Sequence, residues 1–128
     1  MPQPTPWRRA LVVAALAACP LGPSLAQAQA LPRSYDASPD IYRLLAQNDQ
    51  FKVVAGTWKP GQKDVVHGHP ANAVYYLSDC SLRLHAPDGS HRDVHPRTGM
   101  AVLQAAIPSH VVENIGAAEC RLIMFEPA

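Results

Sequence analysis

The 128-residue sequence predicts an all-β sandwich or barrel with a short N-terminal helix, and three observations predict it. From Phe51 onward the chain breaks into short stretches of strand composition, each bounded by Pro, Gly, Asp or Asn. No long helical period appears after residue 48, and there is no internal repeat or low-complexity tract. Hydrophobic residues make up 48% of the chain, too many for a disordered polypeptide and enough for one core.

Taken in order, the first segment is an address rather than part of the fold. Arg8 and Arg9 close a short basic region, Ala10 to Ala18 forms an apolar run, and Pro20, Gly22 and Pro23 end it. Ala26-Gln27-Ala28 and Ala28-Gln29-Ala30 then offer small-x-small cleavage sites, after Ala28 or Ala30. This is the layout of a secretory signal peptide over residues 1–28, too short to span a bilayer, which takes about 20 apolar residues. It predicts a periplasmic or secreted protein. Leu16-Ala17-Ala18-Cys19 also resembles a lipobox, and lipidation at Cys19 is the one route by which the sequence predicts a membrane partner.

Residues 29–38 read as a linker and 39–128 as the folded domain. Ser38-Pro39-Asp40 has the form of a helix start, and Ile41, Leu44 and Leu45 fall on one helical face, predicting a helix over 39–47. Strands follow at Phe51–Trp58, Val65–His69, Ala73–Leu77, Ser81–His85, His91–His95, Met100–Leu103, His110–Asn114 and Arg121–Phe125, with Pro87-Asp88-Gly89 as the clearest hairpin turn.

Charge narrows the partners. The chain carries 11 Lys+Arg and 10 Asp+Glu, and the leader takes away two arginines and no acid, leaving the mature chain at net −1. No cluster of Lys and Arg exists to neutralise a phosphate backbone, which excludes nucleic acid as a partner. The residues expected inside the barrel are small and apolar, with no positive charge for a phosphate and no acid pair for sugar chemistry. Outside the leader the cysteines are Cys80 and Cys120. In an oxidising compartment they read as a pair, as two small buried hydrophobes, or as soft metal ligands.

Histidine carries the chemistry. His67-Gly68-His69 places two imidazoles at i and i+2, which on a strand project from one face roughly 6.5–7 Å apart and can take adjacent positions on one metal ion. A lone His-x-His also fits two surface histidines in a loop. Its surroundings separate the two readings. Gly61, His67, His69, Ala73 and Cys80 stand at the spacings of Gly-x5-His-x-His-x3-Glu-x6-Gly, and Gly99, His110 and Asn114 at those of Gly-x5-Pro-x-Gly-x2-His-x3-Asn. These are the two motifs of the cupin superfamily, and residues 41–126 resemble its small single-domain bacterial members.

The resemblance implies a cupin-type jelly-roll β-barrel with His67, His69 and His110 as metal ligands. It also implies a divalent transition metal (iron, manganese, nickel, copper or zinc) as cofactor, a small-molecule ligand, and a homodimer. The family's glutamate falls on Ala73, which has no donor atom. Cys80 stands at a glycine position, and Ala105 and Ile107 stand where proline and glycine are usual, with Pro108 nearby. Three histidines without the glutamate resemble cupin dioxygenases acting on thiols and diketones, so the resemblance implies a metal-dependent oxygenase. A non-catalytic barrel that binds a small molecule or metal is the second reading, and a purely structural barrel the third. If Ala73 faces inward, alternation carries Tyr75 and Leu77 with it, making Tyr75 a candidate catalytic phenol or a core tyrosine. Gln104 lies near the second motif. His85, His91 and His95 have no place in either motif and read as surface residues. The jelly-roll arrangement also implies that the strand ending near Cys80 runs antiparallel to the last strand, beginning near Cys120, which makes a Cys80–Cys120 disulfide the expected pairing.

Overall fold

A computed structural model describes residues 30–128; the segment read as a signal peptide, Cys19 and the expected cleavage site after Ala28 lie outside the described residues. A single helical turn, α1 (Ser34–Ala37), precedes nine strands: β1 (Tyr42–Gln47), β2 (Phe51–Trp58), β3 (His67–His69), β4 (Asn72–Tyr76), β5 (Leu82–His85), β6 (His91–Val94), β7 (Ala101–Gln104), β8 (Ile107–Asn114) and β9 (Cys120–Pro127). The strands pair antiparallel in two sheets, one ordered β1-β2-β9-β4-β7 and the other β3-β8-β5-β6. Among the described residues no helix is long and apolar enough to cross a membrane.

Period-2 alternation builds the core. In β9, Cys120, Leu122, Met124 and Glu126 are buried while Arg121, Phe125 and Pro127 face out. Val54 and Trp58 of β2, Val74 and Tyr76 of β4, Leu82 of β5 and Val112 of β8 close the interior from the remaining strands. Each fully buried side chain of this size contributes roughly 1.5–3 kcal/mol relative to exposure.

The start of the domain differs from expectation. Residues 39–47 are not a helix: Ser38 C=O accepts N–H bonds from Ile41 and Tyr42 at 3.0 and 2.9 Å, and after that one turn the chain extends as β1. The Ser38 hydroxyl accepts the Val65 N–H at 2.8 Å instead of capping a helix. β1 then pairs with β2 from Tyr42↔Gly56 to Gln47↔Lys52, and Asn48 Oδ1 closes the hairpin by accepting the Gln50 and Phe51 N–H groups. β2 pairs with β1 along one edge, interrupted only by a register shift between Leu44 and Ala46, and this tertiary gain outweighs a weak helical preference. The helical turn lies earlier, inside the segment read as a linker, where Ser34 is 1% exposed and Arg33 bridges Gly68.

Cys80 and Cys120 are joined by a disulfide. β4 and β9 run antiparallel from Ala73↔Phe125 to Tyr76↔Leu122, and the Leu77 N–H continues the ladder to Arg121 C=O at 2.8 Å. This register brings the residues just beyond β4 to the first residue of β9.

Candidate metal centre

β3 is three residues long and contains little besides its two histidines. His67 is 0% and His69 7% exposed, both facing the interior, and the glycine between them is required by what lies opposite. A Cβ on Gly68 would sit 2.8 Å from the Pro108 carbonyl oxygen, so any side chain there would push β8 away. In β8 the register slips by one residue, from His67↔His110 to His69↔Ile107, forming a bulge beside Pro108, which has no N–H to offer the ladder. The altered loop of the second motif is thus absorbed in the bulge, and His110 arrives directly opposite His67.

The three imidazoles converge through the same ring atom. His67 Nε2 lies 2.9 Å from His69 Nε2 and 3.1 Å from His110 Nε2, and the ligand nitrogens of all three lie within 4.8 Å of one another. The far side of two rings shows which nitrogen carries the proton. Val65 C=O is an acceptor only, so His67 Nδ1–H donates to it at 2.8 Å. His69 Nδ1–H donates to Glu126 Oε1 at 2.7 Å. In the neutral rings both Nε2 lone pairs therefore point at the shared centre. Burial pushes His67 down from 6.5 to about 4, and burial with its two histidine neighbours pushes His110 down to about 3, so these two rings are neutral at pH 7.

Lone pairs facing one another at such distances repel unless a cation lies between them. N···N spacings near 3 Å are those made by two imidazoles bound about 2.0–2.1 Å from one ion at nearly a right angle. The donor set therefore fits a divalent transition metal, which accepts neutral imidazole readily.

Three residues behind the histidines were not singled out in the sequence. Glu126 is 1% exposed on the otherwise apolar inner face of β9; its Oε1 orients His69, and its Oε2 has no hydrogen-bond partner, with Arg33 Nη1 at 4.0 Å. A carboxylate in phase with Cys120, Leu122 and Met124 was the available signal. Asp64 accepts the Val112 N–H at 2.6 Å and the Tyr42 hydroxyl at 2.7 Å, and Tyr42 Oη also lies 3.4 Å from His67 Nε2. Burial raises the Asp64 carboxyl to about 6 against these hydrogen bonds, and burial beside Asp64 holds the Tyr42 phenol well above its ordinary value. These two gave no sequence signal, because Tyr42 stood in the expected helix and Asp64 in a turn.

The parity of β4 is the reverse of that expected. Asn72, Val74 and Tyr76 face inward; Tyr75 is 43% exposed on the outer face, aligned with Ile123 and Ala101, and is not near the histidines. Ala73 also points outward, and Val74 is the β4 position lining the cavity beside His69, so neither residue supplies the family's carboxylate. A strand shifted by one residue turns every side chain to the other face, which is why a single wrong anchor moved Tyr75 and Ala73 together. Gln104 does line the cavity. His85 contacts Glu113 at 2.8 Å; His95 contacts Ser81 Oγ at 3.1 Å, is exposed, and also lines the cavity onto which His69 and His110 open, without joining the three-histidine cluster.

His69 and His110 open onto a cavity of about 670 Å³, within the range of small-molecule sites, while His67 lies behind them. Its walls include Trp58, Met100, Val102, Leu122 and Met124, and no Asp or Glu lines it. One expectation is corrected here. Arg92 of β6 lines this cavity, so the interior is not without positive charge: Leu84↔Arg92 pairing puts Arg92 in phase with Val94 on the inner face.

No family model matches the chain, and neither does any curated protein. Solved structures do. A cupin domain from Bordetella pertussis Tohama I is similar at a TM-score of 0.63 and 21% identity, covering 69% of this chain and 92% of that one. An RmlC-like cupin family protein with a double-stranded β-helix fold from Methanocaldococcus jannaschii is similar at 0.56 and 10%, covering 68% and 78%. The polyketide cyclase RemF from Streptomyces resistomycificus is similar at 0.51 and 24%; the match covers 67% of this chain and 63% of that one.

Proposed function

The chain has the cupin fold, and on that premise we propose that it is an exported small cupin that binds one divalent transition metal through His67, His69 and His110 and acts as a metal-dependent oxygenase on a small molecule in the cavity. One observation carries the metal reading. Two of the three imidazoles have their Nδ1–H groups tied to an acceptor, leaving Nε2 of each directed at the same point. Acceptors behind metal-binding histidines fix tautomer and ring orientation and raise ligand basicity.

Each group has a distinct task. His67, His69 and His110 hold the ion; Glu126 orients His69 and brings a negative charge behind it. Asp64, clamped by the Val112 N–H and the Tyr42 hydroxyl, places a second carboxyl group 3.8 Å from His67 Nδ1. The apolar walls exclude water and hold the substrate's body. A bound metal supplies a Lewis acid with open coordination positions and, for iron, manganese or copper, a redox couple.

Export rests on the basic and apolar layout of residues 1–28, and the disulfide is in keeping with an oxidising compartment. Mass spectrometry of the protein from a periplasmic fraction tests it: a mature N-terminus after Ala28 or Ala30 is expected, a diacylglyceryl Cys19 would replace it with a lipoprotein, and an intact Met1 chain would end the export reading.

The decisive experiment is elemental analysis of the untagged mature protein beside His67→Ala/His69→Ala, followed by oxygen uptake in the presence of small organic substrates. About one equivalent of a transition metal, lost in the variant, supports the site. Metal with no oxygen uptake and no turnover favours the binding module, and no metal in either protein overturns the reading.

A further inference from the structure

The metal reading leaves Arg92 unused. Its strand, β6, is the outer strand of its sheet, and its two faces divide the charges. Asp93 points outward and is bound twice by Arg83, at 2.8 and 2.9 Å. Arg92 lies on the opposite face, in phase with Val94; it is exposed to solvent where it lines the cavity and, among the described residues, takes part in no ion pair or side-chain hydrogen bond. No Asp or Glu lines the cavity that receives it, since Asp64 and Glu126 stand behind the histidines rather than among the lining residues. Tyr76 is 6% exposed and lines the same cavity, and its hydroxyl has no protein hydrogen-bond partner among the described residues.

The cavity thus has largely apolar walls and, among its lining residues, two of the clustered histidines, one uncompensated guanidinium and one free phenol hydroxyl. A bound divalent ion would make the interior more positive still. We propose that the cavity selects small molecules with an apolar body and a single anionic group of the carboxylate type, which Arg92 holds as a forked ion pair with the Tyr76 hydroxyl as an additional donor. One arginine without a companion lysine or an anion-binding loop suits a monoanion. A planar carboxylate matches the guanidinium fork, which can hold it through two parallel hydrogen bonds. A neutral molecule of the same shape leaves the donors unpaired.

This inference deepens the proposed function by naming its substrate class, and it rests on the same cavity. Calorimetry and Trp58 fluorescence would compare phenylacetate with phenylacetamide, and hexanoate with hexanamide, in four proteins: wild type, Arg92→Gln, Arg92→Lys and His67→Ala/His69→Ala. The wild type is expected to bind each acid about tenfold or more tightly than its amide. Arg92→Gln should lose that preference without weakening the amides, and Arg92→Lys should keep part of it. Arg92 lies on an exposed edge, so these substitutions leave the core intact.

The histidine variant separates the two claims. If it retains the acid preference while elemental analysis finds no metal in the wild type, the anion site stands and the metal reading falls. If the wild type holds metal but shows no acid preference, the metal reading stands and the anion site falls. A preference that survives in Arg92→Gln and vanishes in the histidine variant places the carboxylate on the metal, which overturns the role of Arg92. So does failure of both acids to bind.

Discussion

The molecule carries two groups of three histidines, and they have opposite fates. His67 and His110 face each other across β3 and β8; His85 and His91 face each other across β5 and β6. The inner pair is completed by His69 and backed by Val65 C=O and Glu126. The outer pair has ring centroids 6.0 Å apart at the surface, with His85 held by a half-exposed Glu113 and His95 by Ser81. Cross-strand pairing is thus common to both and is not what makes a ligand set. What differs is the face of the sheet, a third ring reaching the same point, and buried acceptors that fix which nitrogen keeps its lone pair.

The largest test of that difference is metal removal. An ion bound only by the folded protein stabilises it by about 4 kcal/mol when present at a thousand times its dissociation constant. Chelation should therefore lower the melting temperature of the wild type by several degrees and leave His67→Ala/His69→Ala unmoved; equal response of both would erase the distinction between the groups. Comparable in size is the disulfide near the outer group. Cys80→Ser/Cys120→Ser reopens a loop with a sequence separation of 40 and should lose roughly 3–4 kcal/mol in denaturant unfolding, with metal content unchanged once folded.

A finer test concerns the residue behind the ligands. Glu126→Gln preserves an acceptor for His69 but removes the charge, and metal affinity measured by chelator competition should fall about 10- to 100-fold. An unchanged affinity would mean that Glu126 serves packing alone. The smallest effect is expected from His85→Gln/His91→Gln/His95→Gln, which should retain the wild-type metal content; loss of metal there would move the centre to the surface.

Much of the barrel was legible locally. Phe51–Trp58 is a strand with the expected bounds, and the later strands lie within a few residues of their expected places, because alternation and turn residues act over short stretches. The His67, His69 and His110 set was implied by the resemblance to the two cupin motifs, and the structure brings the three together. Tyr75 did not follow, because the inward face of β4 depends on pairing with β9 and β7 rather than on any property of the strand. Residues 39–47 failed for a related reason: a short segment with weak helical spacing becomes a strand when β2 offers a pairing partner from Tyr42 to Gln47.

By itself, then, the amino-acid order determined roughly where the strands from Phe51 onward lie, which residues carry imidazole nitrogens able to hold a metal, and that two cysteines belong to the domain. These are properties of a residue and its near neighbours. Only the tertiary structure decided that Glu126 stands behind His69, that Asp64 and Tyr42 stand behind His67, and that Arg92 lines the cavity while Asp93 pairs with Arg83 on the other face. Those outcomes depend on strand register and on which sheet face becomes the interior. Both are set by partners tens of residues away, as in the 57-residue separation of His69 and Glu126.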